Sequence, residues 1–359
     1  MKKSFKKTAF ALGLVASASL GAISSAQACL VYLGASNNEH PLIGRTVEFG
    51  FDEQTQTSFA TDFINFPRES HFTTYGADKP LSWTNKYGFS GMAHDGLVSD
   101  GINEKGLYVA MLWFADGKYA PRDESKPSIA SGSLGNWILS HYASVDEAVK
   151  GLSETSVYQS ADNHLGIELP MHLQLVDKQG KAVVIEYIDG EMTVTDNSEF
   201  GVMTNSPKIG DHMVAYRELL DANPHLDVSK PSVKGMLAGL PGGYTAVERS
   251  VKTAVLKDLT PKPKTKVEAI NQVIHTLNNT DYVKGASSFP SRGLSGGAQE
   301  TSFITIIDME NNDYYYRTVD SQVLHKVDID KVDYSQGNPV TSFDIYGGIQ
   351  YIDVTYRVE

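Results

Sequence analysis

With one cysteine in 359 residues, Cys29, the chain can close no internal disulfide and offers no cysteine-based zinc site. Cations are also scarce: 31 lysines and arginines stand against 43 acidic residues, a formal charge of −12. Four of those cations (Lys2, Lys3, Lys6 and Lys7) fall in the first seven residues, so the rest of the chain is more acidic still. A surface of that sign repels phosphate backbones and anionic lipid head groups, which argues against nucleic-acid binding and polybasic membrane docking. Long charge blocks are missing, and apolar residues run throughout, so the composition is not that of a disordered chain. No repeat, low-complexity tract or Pro/Ser-rich linker divides residues 29–359, which read as one domain. No segment after residue 29 is apolar enough to span a bilayer, so no membrane insertion is expected.

Several familiar catalytic patterns are missing as well. None of the ten histidines forms a His-Glu-x-x-His pair or another metal-ligand spacing, and no metal or cofactor is expected. The glycine clusters Leu240-Pro-Gly-Gly243 and Leu294-Ser-Gly-Gly297 lack a following Lys-Ser/Thr and read as loops. Gly-x-Ser-x-Gly is absent, so a serine elbow has no support.

What the chain does have begins at its start. Met1–Lys7 is basic, Ala9–Ile23 is apolar and broken only by small residues, and Ala26-Gln27-Ala28 is a cleavage pattern. Residues 1–28 are expected to be a secretory signal, with the mature protein exported. Cleavage after Ala28 would make Cys29 the first residue. A lipoprotein would acylate a cysteine at that place, but its signal usually carries Leu where this chain has Ala26. The preferred reading is a catalytic N-terminal nucleophile. The α-amino group of such a residue has a reference pKa of about 7.7–8.0, so it can take the thiol proton near neutral pH. The thiolate is the reactive form, and a nearby cation favours it.

Strand signals come in hairpins. Met171–Val176 and Ala182–Tyr187 flank Lys-Gln-Gly, and Met192–Thr195 follows Asp189-Gly190. Ser302–Asp308 and Tyr314–Val319 flank Asn311-Asn312-Asp313, and Leu30–Leu33 reads as a strand directly after the cysteine. Ser144-Val-Asp-Glu147 is a capping box ahead of Ala148–Leu152. Thr245–Leu256 and Lys266–Leu277 carry apolar residues at helical spacing. Strand groups separated by helix groups predict an α+β layered fold.

Three further segments are weak signals one at a time. Gly44-Arg-Thr-Val-Glu-Phe49 alone reads as a loop entering a strand with solvated charges. Asp100-Gly-Ile-Asn-Glu-Lys-Gly-Leu107 alone reads as a turn with exposed polar residues, and Thr204-Asn-Ser-Pro207 as a turn initiator. Their order, with Cys29 ahead of them and Leu240-Pro-Gly-x-x-Thr…Arg249 behind, resembles the choloylglycine hydrolase family, which includes conjugated bile salt hydrolases and penicillin V acylases. The resemblance runs from Cys29 to Tyr314-Tyr-Tyr316.

It implies a four-layer αββα N-terminal-nucleophile hydrolase sandwich of two antiparallel sheets between helical layers. It also implies hydrolysis of a linear amide other than a peptide bond. Position by position, Cys29 matches the nucleophile and Arg45 the cation beside the thiolate. Glu48 stands where better-known members carry Asp. Asn205 matches the side-chain donor of the oxyanion hole, and Arg249 a second arginine of the active-site charge network. Trp113 falls where other members have Asn or Tyr; its backbone N–H can still serve the oxyanion, while its side chain would alter the substrate pocket. Phe49 and Trp113 are candidate walls for an apolar acyl group, with ordinary core packing as the alternative. The secretory signal and the short stretch from Asn205 to Arg249 resemble the Gram-negative branch, which implies the periplasm. Members of that branch are associated with penicillin V, N-acyl homoserine lactones and bile salts. Trp113 ranks phenoxyacetyl and fatty-acyl amides ahead of bile salts. A homotetramer is implied by the resemblance alone.

Overall fold

The computed structural model describes residues 29–37, 40–50, 61–74, 80–161, 168–229, 237–288 and 298–357. The cluster at 294–297, read as a loop from sequence, lies outside them.

Two antiparallel sheets carry the fold. The first runs, in spatial order, Val202–Thr204, Leu30–Gly34, Leu42–Gly50, Ala298–Asp308, Asp313–Thr318 and Ser321–Asp328, with Ser287–Ser288 pairing beside Ala298–Asp308. The second runs Glu191–Asp196, Ala182–Ile188, Met171–Val176, Tyr108–Trp113, Leu97–Asn103, Phe89–His94, Asp62–Phe66 and Thr341–Asp344. All the hairpins expected from sequence are present, each longer or shorter by one to four residues at its ends.

Among the described residues, five α-helices complete the layers: α1 (Leu134–His141), α2 (Val145–Ser153), α3 (Ile209–Ala222), α4 (Ala246–Leu259) and α5 (Lys266–Asn278). Helices α4 and α5 lie on the first sheet and α1 on the second, giving the αββα sandwich. Strand alternation shows how the layers share their core. Tyr108, Ala110 and Leu112 point to the first sheet, whereas Val109 and Met111 pack with Leu134, Ile138 and Leu139 of α1. Helix α1 comes so close that a Cβ on Gly135 would sit 2.1 Å from the carbonyl oxygen of Val98, a contact only glycine permits.

Ser144 caps α2 as expected, but the expected capping box is not completed, because Glu147 reaches the residue before the cap. Ser144 Oγ accepts from Glu147 N–H at 3.3 Å, while Glu147 reaches back to Ala143 N–H at 2.8 Å. Thr245 and Glu248 form a full capping box at α4, and Thr265 caps α5. Two further sequence readings are corrected here. Arg45 and Glu48 are not solvated loop charges but lie buried inside the Leu42–Gly50 strand. Asp100 and Asn103 are not exposed turn residues either; both are buried in Leu97–Asn103, and only the following Glu104-Lys105 turns.

Candidate active site

Cys29 sits one residue ahead of the strand Leu30–Gly34, with Leu30 opposite Thr46 on one side and Thr204 on the other. Opposed residues share a face, and faces alternate along a strand. Cys29, Val31, Arg45 and Val47 therefore face the second sheet. Leu30, Tyr32, Thr46 and Glu48 face α4 and α5.

Arg45 crosses the interior to the second sheet. Its Nη2 donates to Met111 O at 2.7 Å, and its Nη1 donates to Ser99 O and, at 3.1 Å, to Asp100 Oδ2. Asp100 is fully buried and well answered: Tyr314 Oη donates to it at 2.5 Å, Tyr108 Oη at 2.8 Å and Thr305 Oγ1 at 3.2 Å. A buried ion pair survives only when its remaining lone pairs find donors, and this one does.

On the other side, the capping box at Thr245 fixes the first turn of α4 and hence Arg249. That guanidinium is wholly buried, donates through Nη1 to Cys29 O at 3.2 Å and lies 5.4 Å over the Tyr282 ring. Asn205 closes the arrangement at the end of Val202–Thr204. Its Oδ1 accepts from Cys29 N–H at 2.7 Å and from Arg249 Nη2 at 3.4 Å, while its Nδ2 donates to Trp113 O at 2.8 Å. Donors at one end and an acceptor at the other decide which atom is oxygen. One N–H of Nδ2 is thus engaged and the other has no hydrogen bond among the described residues. Phe114 N–H donates to Pro170 O, so strand alternation turns the N–H of Trp113 toward the edge where Asn205 lies.

Burial pushes the Cys29 thiol above its ordinary value, with Arg45 chief among the groups that oppose the rise. The group is thus a thiol that needs an acceptor for its proton. Burial tends to lower the proton affinity of Arg45, but Asp100 and then Cys29 outweigh it and hold the cation. Glu48 is pushed up to about 8 by burial, against the pull of Arg249. Its Oε1 accepts from Thr301 Oγ1 at 2.9 Å, and its Oε2 has no hydrogen bond among the described residues.

Cys29, Asn205 and Arg249 are therefore joined by hydrogen bonds, with Arg45 and Glu48 close enough for their charges to act on Cys29, and Glu48 close enough to act with Arg249. Trp113 joins them through its carbonyl. Phe49 lies in the strand opposite Glu300, and its side chain is outside the described residues. Sequence reading missed Asp100, Tyr108, Tyr314 and Thr301 as partners. A lone acid inside the apolar stretch Leu97–Ile102 was the available signal for Asp100. Among the described residues no cluster of His, Cys, Asp or Glu could hold a metal ion, and no helix is long and apolar enough to cross a membrane.

Residues 29–342 match the family model described as linear amide C–N hydrolases, choloylglycine hydrolase family. A penicillin V acylase of Pectobacterium atrosepticum is 27% identical, with 96% of this chain and 92% of that protein covered. A bile salt hydrolase/transferase of Clostridium perfringens is also 27% identical, covering 82% of this chain and 92% of its own length. The crystal structure of a mutant conjugated bile acid hydrolase from Clostridium perfringens superposes with a TM-score of 0.75 at 25% identity, covering 91% of this chain and 99% of that one.

Proposed function

Because this chain belongs to the choloylglycine hydrolase family of linear amide C–N hydrolases, and is an amidohydrolase on that ground, we propose that Cys29 is its nucleophile, freed as the N-terminus when residues 1–28 are removed during export to the periplasm. The observation that carries this reading is the setting of Cys29: its nitrogen lies 2.7 Å from Asn205 Oδ1, its carbonyl accepts from the buried Arg249, and the buried Arg45 is near enough for its charge to act on the thiol.

In the mature chain that nitrogen is an amine. It takes the thiol proton, and Sγ bonds to the amide carbonyl carbon. The free N–H of Asn205 Nδ2 and the backbone N–H of Trp113 hold the oxyanion. The C–N bond then breaks, the α-ammonium returns its proton to the leaving amine, and a thioester remains. Water adds to the thioester with the same amine as base, the C–S bond breaks, and the carboxylic acid departs. Arg45 favours the thiolate against burial, and no cofactor enters the scheme.

The substrate class is a small acyl amide. Phenoxyacetyl and fatty-acyl amides, as in penicillin V and N-acyl homoserine lactones, come first because of Trp113 and the wider coverage of the penicillin V acylase relative. Conjugated bile salts are the second reading, supported by the bile salt hydrolase relative and the solved structure. A homotetramer is part of the same proposal. Release of primary amine from penicillin V, acyl homoserine lactones, glycocholate and taurocholate tests it, and the best-cleaved amide decides between the two readings. The mature mass tests the N-terminus: an unmodified chain starting at Cys29 supports the enzyme, whereas added lipid, which would block the amine, refutes it in favour of a non-catalytic exported binding lipoprotein.

A further inference from the structure

Behind Asn205 lies a second group of buried polar side chains that the scheme above does not use. His212, in the first turn of α3, is 1% exposed, and its Nε2 stands 3.0 Å from both Asn205 O and Pro207 O. Two carbonyls at that nitrogen require it to be the N–H donor, whichever state the ring adopts. Burial lowers the proton affinity of the ring, so the neutral Nε2–H tautomer is the resting form, with Nδ1 left without a partner among the described residues. Glu186, 2% exposed, accepts Ile209 N–H at 2.9 Å, at the start of α3, and His172 Nδ1 lies 3.4 Å from the same oxygen. A carboxylate at a helix N-terminus fixes the helix start. The His172 ring lies flat on Phe114, 4.7 Å between centroids and 5° between planes, and Phe114 follows Trp113, whose carbonyl receives Asn205 Nδ2.

Asn205 is thus held at both ends. Its carboxamide is set by Cys29, Arg249 and Trp113, and its backbone carbonyl by His212. We propose that His212 is a positioning residue for the reaction, with Glu186 and His172 as its foundation: together they set the turn at Asn205 so that the free N–H of Nδ2 points at the developing oxyanion. The proposal rests on the reading of Asn205 as oxyanion donor. His212, Glu186 and His172 are all buried behind Asn205, so their effect is expected on turnover rather than binding.

The test compares mature wild type, His212→Leu, His212→Gln and Glu186→Gln on the best-cleaved amide of the panel. Gln places an N–H close to the position of the imidazole Nε2. Loss of a complete oxyanion donor costs about 10²–10³ in kcat, so a donor merely misaimed is expected to cost about tenfold in His212→Leu. KM should stay within about twofold, and His212→Gln should recover most of the loss. Glu186→Gln, which keeps an acceptor for Ile209 N–H, should show a smaller fall in kcat alone, and it carries the test if His212→Leu does not fold. Unchanged kcat in His212→Leu or Glu186→Gln, or no recovery in a stably folded His212→Gln, overturns the proposal. A readout free of activity separates it from the amidase reading. The Asn205 side-chain amide signals, assigned by their loss in Asn205→Asp, should move in His212→Leu and return in His212→Gln. Signals that stay in place overturn the positioning role even if wild type cleaves every amide offered. Moved signals support it even if wild type cleaves none.

Discussion

The strand Leu42–Gly50 buries a charged side chain on each face, and the two faces treat the charge differently. Toward the second sheet, Arg45 meets Asp100, a carboxylate that also receives two tyrosine hydroxyls and a threonine. Toward α4, Glu48 has one hydroxyl from Thr301 on one oxygen and no hydrogen bond among the described residues on the other. On the first face the carboxylate has its donors supplied, which is the condition for keeping charge in a low-dielectric interior, although Arg45 Nε itself has no hydrogen bond among the described residues. The second leaves a carboxyl whose proton is retained to about pH 8. A rigid cation and a titratable acid are thus held on opposite sides of the residue that carries the thiol. The surface supplies a third case: Lys118 and Asp189 lie 3.4 Å apart with more than two thirds of each side chain exposed.

The largest expected effect falls on the thiol itself. Cys29→Ser should fold with an unchanged melting point and lose at least about a thousandfold in kcat, as removal of a nucleophile does elsewhere. Retained amine release would remove the reason for comparing the faces at all. Next comes the answered face. Asp100→Asn leaves Arg45 as a buried cation without its counter-charge and should cost about 3–5 kcal/mol of stability, read from denaturant unfolding. A loss below about 1 kcal/mol would mean that the tyrosines, not the charge, hold that face together.

Glu48→Gln sharpens the other side. Because the folded carboxyl binds its proton more tightly than the unfolded one, wild-type stability should fall as pH rises from about 4.5 through about 8 and then level off. Glu48→Gln should lack that segment of the slope, so its melting point should rise relative to wild type across the window. Parallel curves for the two proteins would show that Glu48 is ionised in the fold. The smallest effect belongs to the surface pair, where Lys118→Gln should stay within about 0.5 kcal/mol of wild type.

The sequence was most legible where structure is local. The Lys-Gln-Gly hairpin, the capped helices α2, α4 and α5 and the strand after Cys29 follow from turn chemistry, caps and alternation within a dozen residues. Helix α1 and the strands Phe89–His94, Leu97–Asn103 and Tyr108–Trp113 were not, because segments buried on both faces lose the alternation that marks a strand. The candidate site shows the same division. Residues Cys29, Arg45, Glu48, Asn205 and Arg249 were named through an ordered set of motifs, whereas Gly44–Phe49 and Asp100–Leu107 read individually pointed to solvent. What turned Arg45 inward is Asp100, 55 residues away, with Tyr314 a further 214 residues on. Partnerships at such separations leave no periodic mark in the chain. His212 and Glu186 were invisible for the same reason.

The hydrogen bonds at Cys29 also order events in time. Its nitrogen is held by a residue 176 positions later and its carbonyl by one 220 positions later. Closing loops of that length is slow, and the contacts arrive only when the late part of the chain has docked. A nascent or partly folded chain therefore has Cys29 in solvent, without Asn205 and Arg249 beside it. The proposed site is complete only when those last contacts form, so its chemistry would wait on completion of the fold.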